Sequence, residues 1–285
     1  MSWPSHVVMT PGTRTALVEF TDTWSIQELE QPDVQQRALT EARAAVPGLE
    51  TLLSEAIDAV HRTGAVIVGG FPGASAALVV FASALGEVNA AFNGPEPGTL
   101  VHDLVAVADR QRRADPPHND SVFLERPHAY IGLVCVRPSS SRDGLTMLIR
   151  AGDLEAALLE RGVDVSLLRD PCFPFAEPDP KDPEAGEPAV HLRPLLSGTG
   201  ASATVLWRPT RVRAGLEMRP DALDAAHRAA LDAFAAALED PALATLTMLD
   251  EGDLLLLDNR GVLHGRTPIA AGGQDRHLKR VKIHA

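Results

Sequence analysis

Cysteine is nearly absent from this 285-residue chain, with Cys135 and Cys172 as its whole complement. Two thiols cannot build a disulfide framework or a cysteine-based zinc site. Long apolar runs are missing too. The most apolar window, residues 74–85, is rich in Ala and Ser and falls well short of the roughly 20 residues that span a bilayer. Residues 1–20 lack the charged start and apolar core of a secretory signal. Positive charge is in deficit, at a formal net −12, which argues against a nucleic-acid or anionic-membrane partner. The expectation is a soluble cytoplasmic protein.

What the chain does carry is punctuation: 22 prolines and 22 glycines imply many turns and long connections. One large domain is the default at this length, and no internal repeat or clean boundary interrupts the pattern. Residues 1–32 read as irregular, with a strand over 15–20. Pro32 and Asp33 open a helix to about Val46, which Pro47 and Gly48 break. A second helix follows with Leu49, Leu52, Leu53, Ala56, Ile57 and Val60 on one face. Residues 65–68 read as a buried strand and 74–85 as a helix. Strands are expected over 100–107, 129–136, 145–149 and 203–207, with a helix over 221–238, and residues 245–249 lead into the final motif. Residues 170–194 are dense in Pro, Asp and Glu. Few apolar side chains there could offset the entropy of ordering, so the stretch reads as a mobile loop, either a tolerated insertion or an active-site lid.

Chemistry concentrates in two places. Residues 118–120 read HND, after Pro116 and Pro117, which hold the backbone extended. Positions i and i+2 of an extended chain share a face, so His118 and Asp120 can reach one ion. The second place is residues 252–266, GDLLLLDNRGVLHGR. The run Leu254 to Leu257 suits a strand buried on both faces, and His264 follows it. Two imidazoles and one carboxylate on one side of a metal leave positions open for a co-substrate and O₂, the facial triad of non-haem iron(II) oxygenases. Arg276 follows at a distance one return strand could bring back, and a guanidinium clamps a carboxylate bidentately. Arg280 lies beyond it on a segment whose apolar positions are Leu278, Val281 and Ile283. The remaining histidines (His6, His61, His102, His128, His191, His227, His277 and His284) read as surface or core residues. Asn89, Asn93 and Asn119 are expected along the mouth of the site.

Three stretches resemble the Fe(II)/2-oxoglutarate-dependent dioxygenases of the taurine dioxygenase/clavaminate synthase superfamily: PHNDSVFLERPHAYIGLVCVR at 117–137, DGLTMLI at 143–149, and the terminal motif continued by DRHLKRVKI at 275–283. The resemblance implies an α+β fold, a double-stranded β-helix (distorted jelly roll) with flanking helices. It implies one dioxygenase domain over 1–285, with N-terminal helical elements to about 64 and the jelly roll from about 65. It assigns His118, Asp120 and His264 to iron, Arg276 and Thr146 to the far carboxylate of 2-oxoglutarate, and Arg280 to an anionic group of the prime substrate. An ion pair with an acidic side chain is the alternative for Arg280. The implied reaction hydroxylates an unactivated C–H of a small anionic substrate, an amino acid or derivative in natural-product biosynthesis, with Fe(II), 2-oxoglutarate and O₂, releasing succinate and CO₂. Alternatives are oxidation of a sulfonate or other small acid as in taurine dioxygenase, a carrier-tethered substrate, and a barrel that binds metal or small acid without turnover. Asp120 disfavours halogenation, since the related halogenases carry Gly or Ala there.

Overall fold

The computed structural model describes residues 3–89, 99–106, 113–178, 188–270 and 275–285. Its helices are α1 (Pro11–Thr21), α2 (Pro32–Ala45), α3 (Leu49–Thr63), α4 (Ser75–Ala82), α5 (Ala151–Glu160), α6 (Pro209–Met218) and α7 (Ala225–Ala237). The first strands are β1 (Ser5–Val8), β2 (Ala65–Gly69), β3 (Glu87–Val88), β4 (His102–Val105), β5 (Asp115–His118), β6 (Tyr130–Arg137) and β7 (Thr146–Arg150). The later ones are β8 (Phe173–Ala176), β9 (Val190–Arg193), β10 (Leu196–Ser197), β11 (Thr204–Val205), β12 (Thr245–Thr247), β13 (Leu254–Asp258), β14 (Val262–Arg266) and β15 (His277–His284).

Two sheets carry the architecture. The larger runs β1-β2-β13-β6-β15-β3, with β4 also paired to β15. Its pairings are antiparallel apart from β1 with β2. The smaller runs β12-β7-β14-β5, antiparallel throughout. The four leucines of β13 show why the sheets sit as they do. Leu254 and Leu256 pack among the N-terminal helices, while Leu255 and Leu257 pack with Ile131, Leu148, Val262 and Leu278 between the two sheets. That is the period-two alternation of a strand buried on both faces. On the far side of the smaller sheet, Ile149 and Leu263 join Leu154, Leu158 and Phe234 of α5 and α7. The order is helices, sheet, sheet, helices: a mixed α/β molecule with mostly antiparallel strands and flanking helices.

The helix α3 is placed by its apolar stripe. Leu49, Leu52, Leu53, Ala56, Ala59 and Val60 are all buried, and each leucine contributes about 1.5–3 kcal/mol by leaving water. Gly48 and Gly64, both at positive φ, bound it, the second as a left-handed C-terminal cap. Among the described residues no helix is long and apolar enough to cross a membrane.

The structure departs from expectation in three places. Residues 15–20 are helical, not a strand: Thr10 caps α1 by accepting from the Thr13 N–H, Pro11 opens it, and Thr13, Leu17 and Thr21 are buried at helical spacing. The cap and the period-four burial override the β-preferences of Val and Phe. Second, the flanks of 170–194 are ordered. The strands β8 and β9 pair as an antiparallel hairpin, anchored by fully buried Phe173 and Phe175, while its Pro- and Asp-rich tip at 179–187 lies outside the described residues. Third, the N-terminal segment contributes a strand, β1, as well as helices, and two further helices were not expected: α5 packs against β7 of the smaller sheet and α6 against β8.

Candidate metal centre

The two histidines are brought together by strand register. In the pairing of β5 with β14, His118 stands directly opposite His264, and their ring centroids are 4.5 Å apart. Pro116 and Pro117 cost nothing here, because β5 is an edge strand and needs no N–H on its outer side. Close approach of the strands depends on Gly265. A Cβ there would meet the Asp115 carbonyl oxygen at 2.6 Å and the Pro117 nitrogen at 3.0 Å, so only glycine fits beside His264. Two residues past His118, Asp120 turns to the same side. One ligand atom from each of His118, Asp120 and His264 lies within 4.8 Å of the others, and all three residues are buried.

Two asparagines lock this backbone. Asn119, fully buried, donates from Nδ2 to the carbonyls of Asn259 at 2.6 Å and Val262 at 3.2 Å. It also exchanges hydrogen bonds with the backbone of Trp207. Asn259 answers from the turn after β13: its Oδ1 accepts from the Asp120 N–H at 2.9 Å, and its Nδ2 donates to the carbonyls of Asp120 at 2.9 Å and His128 at 2.8 Å. Asn119 is therefore a clamp and not a mouth-lining residue. Asn89 runs beside the site through a backbone bond to Lys282, and Asn93 lies outside the described residues.

The donor chemistry fits a divalent first-row metal. His118 Nδ1 bonds the Pro116 carbonyl at 2.8 Å, which fixes its tautomer and leaves Nε2 free on the side of Asp120, 3.7 Å from Oδ1. Burial first, and then the neighbouring His118, push the His264 imidazole well below its ordinary pKa, so it is neutral and able to ligate. Its Nδ1 is buried with no hydrogen-bond partner among the described residues. Burial opposes the charge on Asp120, but the nearby Arg280 and Lys282 outweigh it and hold the carboxyl well below its usual range. Two imidazoles and one carboxylate result, with a side left open. It is the only such cluster among the described residues.

The expected arginines differ in state. Arg276 is 8% exposed, and among the described residues its guanidinium has no hydrogen-bond or ion-pair partner. Burial, then Arg266, bring its pKa down to about 10. Its stem runs along Gly144, where an added Cβ would lie 3.4 Å from Arg276 Cδ. Thr146, buried, begins β7 two residues on, in register with Arg266 of β14. Arg280 instead donates to Asp120 Oδ2 at 2.9 Å. The ion pair is thus formed, and its partner is one of the three clustered ligand residues.

Other site residues were not singled out from the sequence. Lys282, buried, shares its strand face with Arg280 and sits 3.7 Å from Asp120 Oδ2. His128, fully buried, bonds Ser121 Oγ at 2.7 Å and stacks on His284, and burial drives its pKa down to about 3. His102 stands across from Arg280 in register. Arg208 acts electrostatically on His264. Strand alternation from Arg280 points to Lys282, whereas nothing local marks Arg208.

Residues 35–282 match the family described as taurine catabolism dioxygenase TauD, TfdA family. No curated protein matches the sequence. Among solved structures, the chain is similar to an asparagine oxygenase in complex with Fe(II), 2S,3S-3-hydroxyasparagine and succinate, at TM-score 0.73 and 20% identity over 98% of this chain and 93% of that one. It is also similar to the non-heme iron oxygenase OrfP with Fe and alpha-ketoglutaric acid, at TM-score 0.71 and 22% identity over 98% and 93%. A third is OrfP with Fe and L-homoarginine, at TM-score 0.70 and 22% identity with the same coverage. With the family model spanning most of the sequence and the His-Asp-His cluster in place, the chain belongs to the TauD/TfdA family of Fe(II)/2-oxoglutarate-dependent dioxygenases.

Proposed function

We propose that His118, Asp120 and His264 hold iron(II) and that the protein hydroxylates an unactivated C–H of a small anionic substrate, an amino acid or derivative, in natural-product biosynthesis. The observation that carries this is the pairing of an open three-ligand cluster with a buried arginine, Arg276, that has no acceptor among the described residues. When bound, iron with 2-oxoglutarate and dioxygen supplies an oxidant able to take hydrogen from such a bond, with succinate and CO₂ as co-products. The protein's own part is positioning. Arg276, with Thr146, receives the far carboxylate of 2-oxoglutarate, because a buried guanidinium without a partner gains most from an incoming anion. Arg280 holds Asp120 by one oxygen, which leaves Oδ1 for the metal, and faces the side on which an anionic substrate would enter. Leu148 opposite His264 and Leu133 opposite Arg280 keep water from the walls.

The likeness to structures holding 3-hydroxyasparagine and L-homoarginine supports an amino-acid substrate. The fold on this reading is a double-stranded β-helix in a single domain over 1–285, in a cytoplasmic setting that suits two free thiols, with the β8–β9 hairpin beside the mouth. The test is turnover under O₂ with a panel of amino acids and sulfonates. Substrate-dependent succinate release, one per oxidised product, is expected. Metal binding with no succinate from any substrate would instead leave a binding protein.

A further inference from the structure

Arg208 is held beside the metal cluster by its neighbours in the chain. Trp207, just before it, donates its N–H to Asn119 Oδ1 at 2.9 Å and accepts from the Asn119 N–H at 2.7 Å, while its indole packs edge-on against Phe234. Asn119 stands between His118 and Asp120 in the sequence, so these bonds bring Arg208 next to two of the three ligand residues. Pro209, just after it, opens α6, and the Arg208 carbonyl accepts from the N–H groups of Arg211 at 2.9 Å and Val212 at 3.1 Å. The backbone is thus fixed on both sides, and the side chain supplies none of these bonds. Arg208 as a whole is half-buried, yet its Nη1 is shut off from water and has no hydrogen-bond partner among the described residues. Buried N–H groups are almost always satisfied, so an orphan on a fixed support marks a place for an acceptor that arrives.

Its placement separates Arg208 from the co-substrate end of the site. The Arg208 charge acts on His264 of β14 and on Lys282 of β15, one residue from each sheet, so the guanidinium stands within reach of both at the metal. Arg276, just before β15, and Lys282, near its end, are about 20 Å apart along an extended strand. The groups acting on Arg276 are Arg266, Cys135 and Asp143, and Arg208 is not among them. Arg280 and Lys282 already meet Asp120. A guanidinium takes a carboxylate through two parallel N–H donors. We propose that Arg208 is a specificity-determining residue that receives a carboxylate of the prime substrate, at the metal and away from Arg276. That carboxylate is either the α-carboxylate of an amino acid or one on its side chain. The assignment gives the anionic substrate class a receiving residue and rests on the dioxygenase reading above.

The experiment uses the full chain, anaerobic and loaded with Fe(II) and 2-oxoglutarate, whose visible charge-transfer band shifts when a substrate arrives. The probes are L-aspartate, L-asparagine and L-asparaginamide, with L-glutamate, L-glutamine and L-glutaminamide alongside. Each series keeps its shape and loses one carboxylate charge at a time. In the wild type, affinity drops about tenfold or more at one of these steps. A drop at the first step identifies a side-chain acid as the group received, and a drop at the second the α-carboxylate. In Arg208→Met the drop disappears. In Arg208→Lys, which keeps the charge without the planar fork, part of it remains. Affinity for 2-oxoglutarate is the same in both variants as in the wild type. Failure of the wild-type band to form defeats the dioxygenase reading. With a normal band, the proposal alone falls if no probe shifts it, if the drop is absent or survives Arg208→Met, or if the Lys and Met variants lose it equally. Weakened 2-oxoglutarate binding in Arg208→Met also overturns it, since the residue would then serve the co-substrate. Should Arg208→Met fail to fold, Arg208→Gln carries the same comparison.

Discussion

Arg276 and Arg280 come from one short segment and are both largely withdrawn from water, yet they stand in opposite states. Arg280 has its carboxylate, at 2.9 Å. Arg276 has none among the described residues. A buried cation with a partner is part of the folded structure, and removing it strands the partner. A buried cation without one is held by the fold at a cost that only an incoming anion relieves. The same residue type thus serves as a support for the metal ligand at one end of the strand and as a receptor at the other.

The largest expected effect separates these roles. In Arg276→Met, affinity for 2-oxoglutarate falls by about a hundredfold or more, roughly 3 kcal/mol. Denaturant stability of the metal-free protein stays level or rises, because an apolar side chain replaces an unpaired charge. Calorimetric titration and urea melts read the two. A matching loss of stability would erase the distinction between the arginines. Next comes Arg280→Met. Here stability itself drops by about 3 kcal/mol, since Asp120 is left buried without its main partner, and metal affinity falls about tenfold. An unchanged melt would show that Lys282 alone suffices.

A smaller effect tests the clamp beneath both. Asn259→Ala leaves the Asp120 N–H, the Asp120 carbonyl and the His128 carbonyl short of a partner, at about 2 kcal/mol. Weaker metal binding with 2-oxoglutarate affinity unchanged is expected, because the clamp sits at the Asp120 end.

The smallest effect is in acid. Folded His128 resists protonation down to about 3, against 6.5 for an ordinary imidazole. A depressed folded value means that the unfolded chain binds the extra proton, so the contribution is complete above about 6.5 and declines as pH falls toward 3. Metal-free stability at pH 5 is therefore about 1–2 kcal/mol lower on account of His128, and His128→Phe flattens the slope in urea melts taken from pH 7 to 5. His264, depressed in the same direction, retains its share.

Where physics is local, the chain could be read directly. Leu254 to Leu257 announced a strand buried on both faces, the apolar stripe of α3 appeared except that Ile57 is only half-buried and Ala59 is buried instead, and the i, i+2 spacing placed Asp120 on the side of His118. That His264 meets His118 through register, with Gly265 admitting the Asp115 carbonyl, was open to proposal from the motif but not to derivation. Local preference misled at 15–20, where a cap and helical burial outweighed β-formers, and at 170–194, where two buried phenylalanines order the flanks of a polar stretch. Arg208 and the two-sided use of Asn259 were invisible, because both depend on hydrogen bonds between segments far apart in sequence. Lys282 was visible in principle, one alternation past Arg280.

The central claim is that three residues from two strands and a turn hold one metal beside the buried guanidinium of Arg276. Anaerobic addition of Fe(II) and 2-oxoglutarate tests it most directly. The account predicts a visible charge-transfer band at one iron per chain, lost in His264→Ala and requiring far more 2-oxoglutarate in Arg276→Met. A wild type without the band, or a band indifferent to His264→Ala, would contradict it.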